Sequence, residues 1–453
     1  MSGAALNYPI ITLLNWGQDF GSDPSSSNGG AHSAISGVVE YLKGYGTDRD
    51  DDLVLLVDGF NVWFQLRPGV LIERYFDINR LANARIESRL GKEVVEKEHI
   101  QQSIVYSAQK RCSSREASDP ACYAVPESTL PKEIYGPQTD KDVAGVNSDI
   151  KYRPRYLNNG IAMGRLGDMR KLYTRAQKLL DENKNVGSDQ NILSQIFGEQ
   201  EFQREALRAR NLASSQRKWQ KFRGEPSILD PKPDHRMMVA APNTTYEFGI
   251  GLDYESLLGH ATGVTEYDSG WIRFNNSQEI AKARNDLNIT TRQQYTLPED
   301  IARSPEPFWS GNGKKDAFDE EGSSWGNIPL YTNLYTSHVP AIIHHPIPTN
   351  PTEPKMLHKH RKNQWTQMWY FQSLWKMLDV YINEPYRPFA VVRDEEEEIA
   401  YWAQHGNKWD TRTDKQDNEW VKWEDMCGES TEEIFGQGKA RGVGPWKPPR
   451  YDY

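Results

Sequence analysis

Cysteine is nearly absent from this chain, with three in 453 residues, so no disulfide framework or Cys-rich metal cluster can hold it together. Cys112 and Cys122 lie ten apart in a Ser- and Pro-containing stretch, where they either pair in an oxidising compartment or remain thiols; Cys427 is remote from both. No run approaches the roughly 20 apolar residues of a membrane-spanning helix, and Met1-Ser-Gly-Ala-Ala has neither a basic nor an apolar leader region. A basic excess is missing too: the net charge is -9, which argues against nucleic acid as a partner. Equally missing are GxxxxGK[ST], a GxGxxG in the first strand-helix turn, HExxH and paired CxxC, and with them go the P-loop, dinucleotide and zinc readings.

What is present centres on residues 53 to 64, Leu-Val-Leu-Leu-Val-Asp-Gly-Phe-Asn-Val-Trp-Phe. Five apolar residues fit a strand buried on both faces, and the run stops at Asp58. In open α/β sheets ligands bind outside the carboxyl ends of strands, so Asp58 and Asn61 are placed either to cap a turn or to turn oxygens toward a hard cation. Upstream, residues 8 to 16 read as a strand, 17 to 30 as a Gly/Ser/Asp-rich loop and 31 to 43 as a helix. With the run at 53 this makes a βαβ unit.

Farther along, 70 to 89 reads as a helix, 91 to 99 as a polar connection and 102 to 107 as a strand. Residues 112 to 155 form a loop-rich insertion. Tyr156 to Gly164 reads as a short strand around a tight Asn-Gly turn, and 166 to 183 as a helix with its apolar side chains on one face. Ser188 is placed to cap a helix running to about Phe222, with Asp189 in the first turn, where an anion is favoured in any case. Glu247 to Asp253 and Val339 to His345 are further strand-like runs ending in polar groups. Trp271 to Phe274 reads as another short strand, followed by an irregular excursion over 275 to 335.

From about His360 the composition shifts. Eight of the 14 Trp lie beyond that point, and Trp365, Trp369, Trp375, Leu378 and Ile382 fall near helical spacing, which reads as a packing helix followed by a Trp-bearing tail. The expected division is an α/β domain over 1–360 and a Trp-rich helical extension over 361–453. Asn-x-Ser/Thr triplets begin at Asn243, Asn275 and Asn288, and are permissive of a secretory route.

Three apolar runs thus end in Asp58/Asn61, Asp253 and His344/His345, with Asn158-Asn159-Gly160 and Ser188-Asp189-Gln190 between them. Taken in order, these motifs resemble the glycosyltransferase domain of the procollagen lysyl hydroxylases and the related collagen-glycosyltransferase group. Asp58-Gly-Phe-Asn61-Val matches the family's Asp-x-x-Asp strand end, and Tyr156-Leu-Asn-Asn-Gly-Ile its Tyr-Leu-Asn-Ser-Gly-Gly. Ser188-Asp189-Gln190 matches its Asp-Asp-Gln, Leu252-Asp253 its Leu-Asp strand end, and Ile342-Ile-His344-His its Val-Ile-His-Gly. The resemblance spans residues 8 to about 350.

The resemblance implies a Rossmann-like, GT-A-type fold with a mixed, mostly parallel sheet. It implies a UDP-sugar donor with Mn2+ as the favoured ion, and a hydroxyl on a protein or glycan as acceptor, in the lumen of the secretory pathway. Asp58 and His344 would be metal ligands with Asn61 at the position of a second carboxylate. Asp189 would be the catalytic carboxylate near the transferred sugar. Asn158, Gly160, Gln190 and Asp253 would bind substrate. Asn61 and Ser188 stand where members carry acids, and ligand charge sets metal affinity, so a relative that binds without turnover is the competing expectation.

Overall fold

The computed structural model describes residues 1–17, 29–59, 61–114, 116–141, 148–182, 188–211, 229, 246–289, 294–308, 324–345, 364–374, 377–378, 387–394, 397–402, 411–414, 420–421 and 425–426. Most of the Gly/Ser loop, the end of the helix expected to reach Phe222, Trp375, Ile382 and the final tail lie outside them. The chain is α/β, and its strands pair both parallel and antiparallel. It separates into two compact units that alternate along the sequence: Gly17–Asp58 with Tyr75–Thr265, and Met1–Trp16 with Gly59–Arg74 and Glu266–Tyr453. This runs across the expected boundary at 360.

The first of these, the sheet unit, carries α1 (Gly29–Lys43), β1 (Leu53–Val57), β2 (Ile104–Gln109), β3 (Tyr156–Arg165), α2 (Leu166–Glu182), α3 (Asp189–Asn211) and β4 (Ile250–Asp253). The strand order is β1-β3-β2-β4. β1, β2 and β4 point the same way, and β3 runs against them between the first two. Two of the three pairings are therefore antiparallel and one is parallel, which corrects the expectation of a mostly parallel sheet. β1 is an edge strand and only half-buried, not covered on both faces.

The core of this unit is where the helices meet the sheet. Ile104, Tyr106 and Ala108 alternate along β2 into a cluster with Leu166, Met169, Leu172, Ala176 and Leu180 of α2 and Ile192, Ile196 and Phe197 of α3. The α2 spacing is that of one buried helical face. Gly198 lets the backbone of Pro120–Ala121 lie directly on α3: a Cβ there would come within 2.4 Å of it. That contact seats the loop-rich insertion, whose Cys112 and Cys122 are joined as a disulfide.

Several local expectations are revised. Residues 91 to 99 contain the helix Lys92–Glu98, whose partly buried Val94 and Val95 pack against Ile86, Leu90 and Ile100. The Asn-Gly sequence at 159–160 makes no turn, because β3 passes through it unbroken. The strand expected over 8 to 16 is reduced to Thr12–Leu13, which pairs in parallel with Thr411–Thr413 in the second unit and so forms no βαβ unit with β1.

In the second unit, Val62–Phe64 pairs antiparallel with Ile342–His344, and Ser269–Ile272 with Leu330–Asn333. The 275–335 stretch also holds helices Ser277–Asp286 and Glu299–Arg303, so it is more regular than its composition suggests. The aromatic segment beyond 360 packs onto residues 63–65. Trp369 Nε1 donates to the Gln65 carbonyl at 3.0 Å, Tyr370 Oη donates to the Phe64 carbonyl at 2.7 Å, and the Trp63 and Trp365 rings are 5.6 Å apart. Among its described residues this extension is not wholly helical, since Ala390–Asp394 pairs with Glu397–Tyr401 as an antiparallel hairpin.

Candidate active site

The register of the sheet brings most of the singled-out residues of the sheet unit to one end. Between β2 and β3 the pairing runs Tyr106 with Ala162 and then Ser107 with Asn158, so Asn159, Gly160 and Ile161 are extra on β3. Such a bulge bends the strand and re-aims its side chains, and bulges recur beside active sites. On the other side of β3, Val57 pairs with Ile161, and the Asp58 backbone N–H donates to the Gly160 carbonyl at 2.9 Å. β4 joins at the same level, with Asp253 opposite Ser107.

Adjacent strand residues face opposite sides, and the two asparagines of the bulge divide accordingly. Asn158 turns to the sheet: its Oδ1 accepts from Ser107 Oγ and from the Gly160 N–H, both at 3.1 Å, and its Nδ2 donates to Gln109 Oε1 at 2.8 Å. Its side chain is thereby committed to holding the bulge. Asn159 turns to α3, where its Nδ2 donates to Asp189 Oδ2 at 2.9 Å. Sequence reasoning passed over Asn159 and Ser107; the period-2 alternation of a strand across Asn158-Asn159 was the available signal.

Ser188 caps α3 as expected, accepting from the Asn191 N–H at 3.3 Å. Asp189 Oδ1 accepts from the Gln190 backbone N–H at 2.9 Å. Burial is the main influence on Asp189 and raises its pKa above the usual carboxylate value. The Gln190 and Asn159 hydrogen bonds pull it down, and the nearby negative charge of Asp58 pushes it up. Gln190 bridges across to β3. Its Oε1 accepts from the Asn159 N–H at 2.8 Å, and its Nε2 donates to the Leu157 carbonyl at 2.6 Å and to Ser194 Oγ at 2.9 Å. That amide pairs with the bulged edge as a strand backbone would. Behind it the Tyr106 and Tyr173 hydroxyls lie 3.4 Å apart, and burial pushes Tyr173 up to about 12.

Asp253 is fully occupied by its own turn. Its carboxylate accepts from the Leu257, Leu258 and Gly259 N–H groups at 3.0, 2.7 and 3.1 Å. Burial nevertheless dominates and pushes its pKa up to about 6. The side chain anchors the loop after β4.

In the second unit, Asn61 and His344 come to the same end of one ladder. His344 stands opposite Val62, and the His345 N–H donates to the Asn61 carbonyl at 2.7 Å. Both residues are buried, and the His345 ring lies 4.4 Å from that of Trp63. Asp58 belongs to the other unit. Among the described residues, no group of three or more His, Cys, Asp and Glu side chains is placed to hold a metal ion. The set implied by the resemblance contains only two such side chains, Asp58 and His344, and depends on the Asn61 amide for its third protein donor. By type, the carboxylate and amide oxygens suit Mn2+, while the imidazole suits softer divalent ions such as zinc or iron equally.

No protein-family model matches the chain, and no curated protein matches it.

Proposed function

We propose that this chain is a glycosyltransferase of GT-A type that moves a hexose from a UDP-sugar to a hydroxyl of a protein or glycan acceptor. The observation that carries this reading is the bulge at 158–161, which ties two acids to one sheet end: the Asp58 backbone through Gly160 and the Asp189 carboxylate through Asn159. The raised pKa of Asp189 brings it nearer the operating range of a group that exchanges a proton with an acceptor hydroxyl or steadies the transferring sugar. Gly160 is buried, its N–H and carbonyl taken by Asn158 and Asp58, and Gln190 holds the bulge in place. Mn2+ bound with the UDP-sugar, as the resemblance implies, would neutralise the diphosphate leaving group.

The test is UDP release from UDP-glucose and UDP-galactose, with and without Mn2+, by the wild type and by Asp58→Ala and Asp189→Ala. Loss of about a hundredfold or more in Asp189→Ala is the expected result. A folded wild type as inert as both variants would sink the catalytic reading.

Asn61, neutral where the family pattern has an acid, favours a second reading in which the chain binds a nucleotide sugar or glycan without turnover. Under that reading UDP-sugars raise the melting temperature although no UDP is released, because a ligand of the native state alone must stabilise it. Asn61→Asp then restores charge, and its Mn2+ titration is expected to tighten. An unchanged titration removes Asn61 from the metal set.

A further inference from the structure

Two of the Asn-x-Ser/Thr triplets flank one short surface helix. Asn275-Asn276-Ser277 leads into Ser277–Asp286, and all three residues are exposed. Asn288 follows the end of the same helix, also exposed, with a left-handed φ of 53°, while the next residue, Ile289, is buried and anchors the turn. The helix has ten residues and so spans about 15 Å, which leaves room for a bulky group at each end.

Local chemistry leaves Asn275 able to accept such a group. Asn276 Oδ1 caps the helix by accepting from the Glu279 N–H at 3.1 Å, so the middle residue of the triplet is the one bound into the fold. Asn275 Nδ2 donates to Asn327 Oδ1 at 2.7 Å. An amide nitrogen carries two hydrogens, and substitution of one leaves the other for Asn327. A separate observation concerns the compartment: Cys112 and Cys122 are bridged, with Cα atoms 5.5 Å apart. Structural disulfides persist in secretory and extracellular spaces and are rare in a reducing cytosol.

We propose that Asn275 and Asn288 carry N-linked glycans, acquired in the oxidising lumen where Cys112 and Cys122 pair. Each transfer forms a bond from Asn Nδ2 to the anomeric carbon of a lipid-diphosphate-linked oligosaccharide. The anomeric C–O bond breaks, the lipid diphosphate leaves with the electron pair, and one Nδ2 proton passes to a base of the host transferase. The disulfide forms separately, its two thiols giving two electrons and two protons to the lumen's thiol-disulfide oxidants.

The test expresses the full chain behind a cleavable secretory leader in eukaryotic cells, in an Asn243→Gln background so that the third triplet contributes nothing. N-glycosidase treatment is expected to remove two glycan masses and leave Asp at 275 and 288. Ser277→Ala and Thr290→Ala should each abolish one glycan with its Asn still in place, and Ser277→Thr should keep it. Chains retained in the cells are read the same way, because these glycans are added before folding is complete, so a poorly folding variant still reports. Thiol alkylation should label one cysteine before reduction and three after it. No mass loss on glycosidase treatment overturns the proposal, loss of a single glycan overturns it at the unmodified Asn, and three labelled thiols before reduction overturn the compartment.

Discussion

Asn159 Nδ2 donates to Asp189 Oδ2 at 2.9 Å, so the residue next to the bulge's structural asparagine holds the acid at the start of α3. The following residue, Gly160, accepts from the Asp58 N–H. Two consecutive positions of one strand therefore fix an acid on each neighbouring element, and small changes in the bulge should move both.

Asp189 should cost stability where it is ionised. Its folded pKa is raised from 3.8, so its favourable contribution is complete below that value and is lost as pH rises through the raised one. Asp189→Asn is therefore expected to melt higher than the wild type at pH 7, with the difference shrinking toward pH 4, while UDP release drops. Melting curves at the two pH values check this; a variant that melts lower at pH 7 would mean that the carboxylate is held by its partners more strongly than burial opposes it.

Gln190 should act as the clamp of the bulge. Gln190→Ala removes the acceptor of the Asn159 N–H and the donor to the Leu157 carbonyl, a loss of about 1–3 kcal/mol with markedly faster hydrogen exchange at Asn159. Gln190→Glu separates clamping from mere bulk. Its protonated acid can still donate to Leu157 O and accept from Asn159 N, whereas its carboxylate repels the carbonyl. Stability and UDP release of Gln190→Glu should approach wild type at acid pH and fall away toward neutrality. A pH-independent deficit would count against the clamp.

The strand ends and the one-sided apolar faces of the helices were legible because local periodicity encodes them. Asn158-Asn159-Gly160 was not, since the same three residues serve a tight turn or a bulge, and only β1 and β2 pairing on either side of β3 decide for the bulge. Asn158 was expected to line a pocket, but Ser107 and Gln109, some fifty residues away, claim its side chain. Thr12–Leu13 pairs with Thr411–Thr413, a partner no local pattern names. The polar run 91–99 is helical because Val94 and Val95 find a cluster built from Ile86, Leu90, Ile100 and Leu207, two apolar residues being too few to announce a period.

Behind the site, α3 carries a buried ion network on which its position depends. Arg204 contacts Glu201 at 2.7 Å and Glu247 at 2.6 Å, and Arg89 reaches Glu201 at 3.1 Å. Arg204→Met leaves the buried Glu201 with Arg89 as its remaining cationic partner, and breaking such a pair costs about 3–5 kcal/mol. The triple change Arg204→Met, Glu201→Gln, Glu247→Gln should recover much of that loss. Urea unfolding of the two variants checks it: if the single change costs under about 1 kcal/mol, solvent reaches these charges more freely than their burial implies.

Asp253 offers a pH test of the loop after β4. Asp253→Ala takes the acceptor from three backbone N–H groups at once, and the expected cost is roughly 3 kcal/mol or more. Asp253→Asn keeps one oxygen but opposes an NH2 to the remaining amides, so it is destabilising by less. The wild-type side chain titrates at about 6 in the fold against 3.8 ordinarily, so its stabilising contribution is full below 3.8 and fades as pH rises through about 6. The stability gap between wild type and Asp253→Asn should therefore be wider at pH 4 than at pH 7. Denaturant midpoints at the two pH values measure it, and a gap that widens toward pH 7 would show that the three amides hold the carboxylate ionised against its burial.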